Sequence, residues 1–220
     1  MSPIPSFHAF VSRGLGRRLP CIALAIFTIT GCKRHEPFEM LGTPPQTTLQ
    51  KYWEVPDFTF TDRLGQPVGR DDLRGKVWVA DFFYTSCPGP CPMMASRLSA
   101  LQGQLTGKNN VRLISISLDP EKDTAEVLQQ YAQRFNAGPN WLFLRGDRDA
   151  TYALAQQGFK LAVADVRNSP EPITHSTKLV LVDQRGWVRG FYDGVGEDQS
   201  AKLVGDVDQL LVGTGEDSAK

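Results

Sequence analysis

The chain has 220 residues, of which 24 are basic and 24 acidic, so its formal net charge is zero; 41% are apolar and 22% charged. That composition suits one globular domain with short appendages. Balanced charge gives no footprint for a nucleic-acid partner, and no apolar run approaches the ~20 residues that a membrane-spanning helix needs.

The first segment reads as a targeting signal. Arg13, Arg17 and Arg18 form a basic start, and Leu19 to Gly31 (LPCIALAIFTITG) is a short apolar core. The core closes on Ile29-Thr30-Gly31-Cys32, which resembles a bacterial lipobox, where small residues precede a cysteine that is lipidated after cleavage. The expectation is a signal peptide over residues 1–31, a lipid on Cys32, and a tether over residues 32–54 that holds Pro37, Pro44 and Pro45. The domain would then be exported and held at the outward-facing or periplasmic side of a bacterial membrane, where several acyl chains give stable anchoring.

Those assignments sharpen the count of reactive side chains. Of four cysteines, Cys21 leaves with the signal and Cys32 carries lipid, so Cys87 and Cys91 are the thiols of the domain. Of three histidines, His8 and His35 precede the domain, and His175 lies within it.

The domain is expected over residues 55–212, with a loose tail at 213–220. Asp57 to Thr61 alternates like an edge strand, and Leu64-Gly65-Gln66-Pro67 reads as a turn. Val77 to Phe83 (VWVADFF) is an apolar run broken only by Asp81, the pattern of a strand covered on both faces. After a proline-rich loop, Met94, Leu98, Leu101 and Leu105 recur at helical spacing within Met93 to Leu105. Val111 to Leu118 is a second buried strand, and Asp123 or Thr124 caps a helix that runs through Phe135. Trp141 to Leu144 is a short strand, and Asp149 to Gln157 a short helix. Lys178 to Val182 and Val188 to Tyr192 form a hairpin around Asp183-Gln184-Arg185-Gly186, and Ala201 to Leu211 is a closing helix. Right-handed crossovers make the first two long strands parallel neighbours in an α/β sandwich, with the cysteine loop at the carboxyl end of a central strand, where ligands of open sheets sit.

That loop reads YTSCPGPCPMM over residues 84–94. Pro92 suits a first helical turn, so both cysteines sit around a helix N-terminus, where unpaired N–H groups favour thiolate. Pro88 and Pro90 stiffen the loop and Gly89 lets it bend. Such a pair can staple a loop, cycle between thiol and disulfide, or clamp a metal. A bridge across so short a loop adds little stability. Thiolate sulfur selects Cu(I), zinc or iron–sulfur clusters, and the domain lacks the cysteines for a cluster or the four ligands of structural zinc. Two thiolates and one imidazole suit Cu(I), and a further oxygen ligand would let the set hold Cu(II). The stretch before Lys178 reads as a loop that could swing His175 toward the clamp, although a lone histidine also serves as a surface or structural residue. The residues favour metal binding and leave redox cycling open.

The pattern resembles the SCO/SenC copper-binding proteins. The resemblance runs from about Val55 to Leu211 and is carried by VWVADFFYTSCPGPC (residues 77–91) with Pro92, by ISISLDPEKDT (114–124), by YAQRF (131–135) and by His175-Ser176 before an apolar strand. It implies a thioredoxin-like, peroxiredoxin-related fold with a central mixed sheet flanked by helices. It also implies copper ligation by Cys87, Cys91 and His175, and a part in delivering copper to, or reducing the cysteines of, the binuclear copper site of cytochrome c oxidase. Another exported cuproprotein is the alternative recipient. Asp119 and Asp123 match the family's acidic stretch near the metal loop, as candidates to orient His175 or relay protons; the plainer reading is a turn and a helix cap. Family members often carry Asp directly before the histidine, where this chain has Thr174.

Two functions of different kind follow. A copper chaperone binds and passes metal without chemical turnover. A thiol–disulfide oxidoreductase would attack with Cys87 and resolve with Cys91, and has little need of His175. A peroxidase fits poorly, because the proline and threonine that precede a peroxidatic cysteine at set positions are not matched by Thr85-Ser86.

Overall fold

The structure is a computed structural model and describes residues 48–166, 169 and 172–213. The apolar leader, Cys32, residues 33–47 of the expected tether and the tail from residue 214 lie outside the described residues.

Among the described residues nine strands form in chain order: β1 (Thr59–Asp62), β2 (Pro67–Gly69), β3 (Val77–Phe83), β4 (Val111–Ser117), β5 (Trp141–Arg145), β6 (Val163–Asp165), β7 (Ile173–His175), β8 (Lys178–Val182) and β9 (Val188–Asp193). Four α-helices accompany them: α1 (Pro90–Gln104), α2 (Ala125–Arg134), α3 (Arg148–Ala153) and α4 (Ser200–Val212). Seven strands make one mixed sheet in the order β2-β1-β5-β4-β3-β8-β9, and β6 pairs with β7 apart from it. The centre is parallel, with Ala80 opposite Ile114 and Ile114 opposite Leu142. Both flanks are antiparallel, through β1 on β5 and β8 on β3.

Every residue of β3 is buried, because the sheet is covered on both faces. Phe83 packs on Tyr131 of α2 and on Phe143, with ring centroids 5.1 and 5.7 Å apart. On the opposite face Trp78 and Phe82 meet Phe159 edge-on at 6.0 and 5.3 Å. Phe159 directly follows a π-helical turn, Leu154–Gly158, which continues α3. The helix expected over residues 149–157 is thus an α-helix that widens in its last turn. Thr124, rather than Asp123, caps α2, its hydroxyl accepting from the Val127 N–H. α1 packs beside α4, and Ser99 of α1 donates to the Phe135 carbonyl at 2.7 Å, which ties α1 to the end of α2.

Four expectations change. β1 is not an edge strand: β2 covers it, a three-residue strand hidden because it opens on a proline. Proline is tolerated there since β2 is itself the edge. The helix after the cysteine loop starts at Pro90 rather than Met93, so Cys91 lies in its first turn; the fixed φ of Pro90 suits that start, and Pro92 still falls where N–H groups have no helical partner. His175 does not sit in a loop but ends β7, in a ladder too short to leave a periodic signal. The chain is docked before residue 55. Tyr52 N–H donates to the Val188 carbonyl, Val188 N–H to Trp53, and Val55 N–H to Gly186, while Arg189 reaches the carbonyls of Leu49 and Gln50. Tyr52 and Trp53 pack on Phe191 at 5.5 and 5.9 Å, so two aromatic rings hold this strap over the free side of β9.

The end of β9 is pinned beside the start of β8, where Gly194 N–H donates to the Thr177 carbonyl at 2.8 Å. A β-carbon on Gly194 would stand 2.4 Å from that oxygen and 3.1 Å from Met94. Gly194→Ala is expected to cost about 1–3 kcal/mol by overpacking, lowering Tm by several degrees; a melt that matches wild type would show that the approach relaxes freely.

Candidate metal centre

The site begins where β3 ends. Tyr84 and Thr85 leave the sheet, and the chain turns so that Cys87 N–H donates to the Tyr84 carbonyl at 3.3 Å. Gly89 then caps α1 with φ −114° and ψ −101° and brings no side chain to accept the first helical N–H groups. The Cys87 sulfur takes that role and accepts backbone N–H groups of Gly89 and Cys91. Cys91, one residue into the helix and 1% exposed, accepts the backbone N–H of Tyr84. The prolines leave the loop few backbone donors, and two of those that remain, on Gly89 and Cys91, point at the Cys87 sulfur.

His175 arrives from the other side of β3. The antiparallel register sets Ala80 opposite Val180, so the start of β8 lies level with the end of β3. Only two residues separate His175 from β8, which carries it to the level of the cysteine turn. The ring stands edge-on to Tyr84, centroids 5.8 Å apart. Its Nδ1–H donates to the Ser176 carbonyl at 2.9 Å. In the neutral ring this leaves the lone pair on Nε2, and Nε2 lies 3.1 Å from the Cys91 sulfur. The two sulfurs and a ring nitrogen of His175 all lie within 4.8 Å of one another, and both cysteines are reduced. Two soft sulfurs and an imidazole, buried but for the partly open histidine, form a donor set for a soft monovalent or borderline metal ion.

Comparison with known proteins places this geometry. The SCO1/SenC family profile matches residues 46–211. The chain belongs to the SCO1/SenC family. It is 34% identical over 158 residues to the SCO1 protein homolog of Bacillus subtilis, which covers 70% of this chain and 81% of that one. The solved structure of BsSco, described as a member of the Sco family of cytochrome c oxidase assembly proteins with a disulfide switch, superposes with a TM-score of 0.67 at 32% identity, over 76% of this chain and 97% of the other. Bradyrhizobium japonicum ScoI, solved with copper bound, shares the fold at a TM-score of 0.60 and 24% identity, over 72% of this chain and all of that one. The mixed sheet with flanking helices is therefore the thioredoxin-like fold that the sequence resemblance implied.

In this SCO1/SenC protein the two thiols are not equivalent. The Cys87 thiol is shifted well down, chiefly because the Cys91 thiol hydrogen-bonds to its thiolate, with the two backbone N–H groups adding to the effect. The Cys91 thiol is shifted up for the converse reason: the Cys87 thiolate holds its proton, and burial favours the neutral form. The pair thus shares one proton.

The two acidic candidates go to different places. Asp119 is buried, pairs with Lys122 at 3.0 Å, and its carbonyl accepts the N–H groups of Lys122 and Asp123, so it shapes a turn. Asp123 is fully buried, and its carboxylate accepts from the hydroxyls of Ser117 and Thr85, each at 2.5 Å, and from the Thr85 N–H. The His175 ring nitrogens contact Cys91 and the Ser176 carbonyl rather than either carboxylate. No residue-level pattern could have revealed Ser176, because its contribution is a backbone oxygen.

A third acid belongs to the surroundings of the site. Asp81, in the middle of β3 and 2% exposed, accepts from Ser115, whose oxygen in turn accepts from Trp141 Nε1. Its signal in the sequence was a lone acid inside a fully apolar strand. Burial raises it from the ordinary 3.8 to about 7, while the Ser115 hydrogen bond and the field of His175 pull the other way.

The folded protein therefore keeps a proton on Asp81 that the unfolded chain has released. The associated stability is complete below about pH 4 and is lost as pH rises through 7; the rise in pKa corresponds to about 4 kcal/mol. Asp81→Asn, neutral at every pH and still able to accept from Ser115, is expected to raise Tm at pH 8 and to leave it nearly unchanged at pH 4. Thermal melts of the reduced, metal-free protein at the two pH values check this, and equal shifts at both would exclude a buried titration.

Proposed function

We propose that this protein is a copper-binding metallochaperone that takes Cu(I) between Cys87, Cys91 and His175 and passes it by ligand exchange to the binuclear copper site of cytochrome c oxidase, or to another exported cuproprotein. It works at the outward-facing or periplasmic side of a bacterial membrane, held there by lipid on Cys32. The observation that carries this reading is the convergence of two sulfurs and an imidazole nitrogen within 4.8 Å, from segments 84 residues apart. The relatives support it: ScoI of the same fold holds copper, and BsSco belongs to a family of oxidase assembly proteins.

The residues suit a cargo rather than a permanent ion. Cys87 is ready as thiolate, the Ser176 carbonyl leaves Nε2 of His175 free to bind, and Cys91 surrenders its proton only when metal displaces it. Three donors leave Cu(I) open to an incoming thiolate or imidazole from a partner, which is how ligand exchange starts. His175 is the most exposed of the three and so the natural first ligand to let go.

A second reading rests on the unequal thiols. The Cys87 thiolate can attack a partner disulfide to form a mixed disulfide, and Cys91 can then displace the partner's sulfur as it loses its proton. The partner gains two electrons and the Cys91 proton, takes its second proton from solvent, and this protein is left with a Cys87–Cys91 disulfide. Reduction of a recipient's cysteines and metal delivery to them are compatible in sequence, since a copper site must be reduced before it fills.

Reduced protein under anaerobic conditions should bind one Cu(I), measured by competition with a chromophoric chelator. Cys87→Ser or Cys91→Ser should abolish binding. His175→Ala should weaken it on the order of 100-fold, about 2.8 kcal/mol, and more for Cu(II). Unchanged affinity for both oxidation states in His175→Ala would remove the third ligand and favour the dithiol reading.

Proton displacement gives a pH dependence of known sign. At neutral pH the pair carries one proton, on Cys91, and metal must expel it. Cu(I) affinity should therefore rise about tenfold per pH unit between pH 5.5 and 7.5, as followed by the same competition assay after correction for the chelator. A flat profile would mean that binding expels no proton.

A further inference from the structure

The donor atoms of the metal centre all report to one short segment, Tyr84-Thr85. The Tyr84 N–H donates to the Cys91 sulfur, the Tyr84 carbonyl accepts the Cys87 N–H at 3.3 Å, and the Tyr84 ring stands against His175. Rotation of the Tyr84–Thr85 peptide would move the carbonyl that accepts the Cys87 N–H, and any shift it passes back through Tyr84 would also move the N–H on the Cys91 sulfur. That peptide lies beyond the end of the β3–β4 ladder at Phe83.

What holds it is Asp123. The Thr85 N–H lies 3.2 and 3.3 Å from the two carboxylate oxygens, and the Thr85 hydroxyl donates to Oδ1. The second oxygen, Oδ2, is fixed by the Ser117 hydroxyl, and the Ser117 oxygen is itself fixed by the Asp119 N–H at 3.1 Å. Asp123 N–H donates to the Asp119 carbonyl at 2.8 Å, so the backbone carrying the carboxylate is anchored as well. Each donor within reach of the carboxylate is an uncharged group from the end of β3 or β4. None of the principal influences on the two cysteines is the charge of Asp123. Its effect on the sulfurs is therefore one of geometry rather than field.

We infer that Asp123 is the positioning residue of the metal centre: through Thr85 it locks the Tyr84–Thr85 peptide and so holds Cys87 and Cys91 in the spacing that receives the metal. Asp119 has a different part, folding the turn that presents Asp123. The inference rests on the metal-site reading above and assigns that site its support. It makes the Cys87–Cys91 clamp preorganised before metal arrives, which spares the bound state the ordering cost of a slack loop.

The test needs two readouts. Thr85→Val keeps the shape and the backbone N–H but removes the hydroxyl link; Thr85→Ser restores the link; Asp123→Asn keeps the volume. In the metal-free protein, Thr85→Val should shift the Cys87–Cys91 dithiol–disulfide equilibrium with glutathione several-fold toward the disulfide, because the N–H to sulfur bonds that hold the reduced pair slacken. Cu(I) affinity should fall about tenfold, the lower end of the loss seen when a partner that orients a metal ligand is removed. Thr85→Ser should stay within about twofold of wild type in both, and Asp123→Asn should exceed Thr85→Val in both. Thermal melts identify any variant that merely unfolds. If Thr85→Val and a folded Asp123→Asn leave the glutathione equilibrium unmoved, the inference is overturned, whatever the copper result. If wild type fails to take copper yet the glutathione equilibrium shifts as stated, the chaperone reading falls and the positioning of the thiols stands.

Discussion

The antiparallel pairing of β8 with β3 is the constraint on which the site depends. β3 ends in the segment that turns into the cysteine loop, and β8 begins two residues after His175. With Ala80 opposite Val180, the two ends are level. A shift of one residue would exchange leucine and valine between two close-packed faces, so packing holds the register. Core packing thereby sets, without any contribution from the site, the height at which an imidazole meets two sulfurs.

Within that frame, the local chemistry of the loop follows from proline and glycine. Pro88, Pro90 and Pro92 leave few backbone donors in the turn, Gly89 caps α1 without a side chain, and the Cys87 sulfur accepts the donors that a polar cap would otherwise satisfy. The sulfur nearest the helix end is the one held as thiolate, and the sulfur buried in the first turn keeps the proton. A single feature, a helix start with no polar cap, thus serves both a metal clamp and an asymmetric dithiol. The buried acids under the loop divide by environment. Burial raises both: Asp123 against the pull of hydroxyl and amide donors from two strand ends, and Asp81, with one hydroxyl donor in an apolar strand, to about 7.

Much of this was legible in the sequence because its causes are local. The largely apolar runs at 77–83 and 111–117 mark strands covered on both faces, and the Asp183–Gly186 turn marks the hairpin of β8 and β9. Elements of three residues were not legible. β2, β6 and β7 are too short to show a period, and it is β7 that carries His175. The strap at residues 49–54 looks like tether in the sequence because it follows the proline-bearing stretch that ends at Pro45 and has only two aromatics, Tyr52 and Trp53, to dock it on Phe191.

The sequence by itself determined the chemistry available: two thiols around a helix start, one histidine in the domain, and a core able to make a central sheet. These depend on residue type and near spacing, which a linear chain displays. Tertiary structure alone decided that His175 reaches Cys91, that a backbone carbonyl sets its tautomer, and that Asp123 rather than Asp119 turns toward the cysteine loop. Those outcomes depend on strand register and on which buried polar group finds which donor, and both are settled only when segments tens of residues apart are packed together.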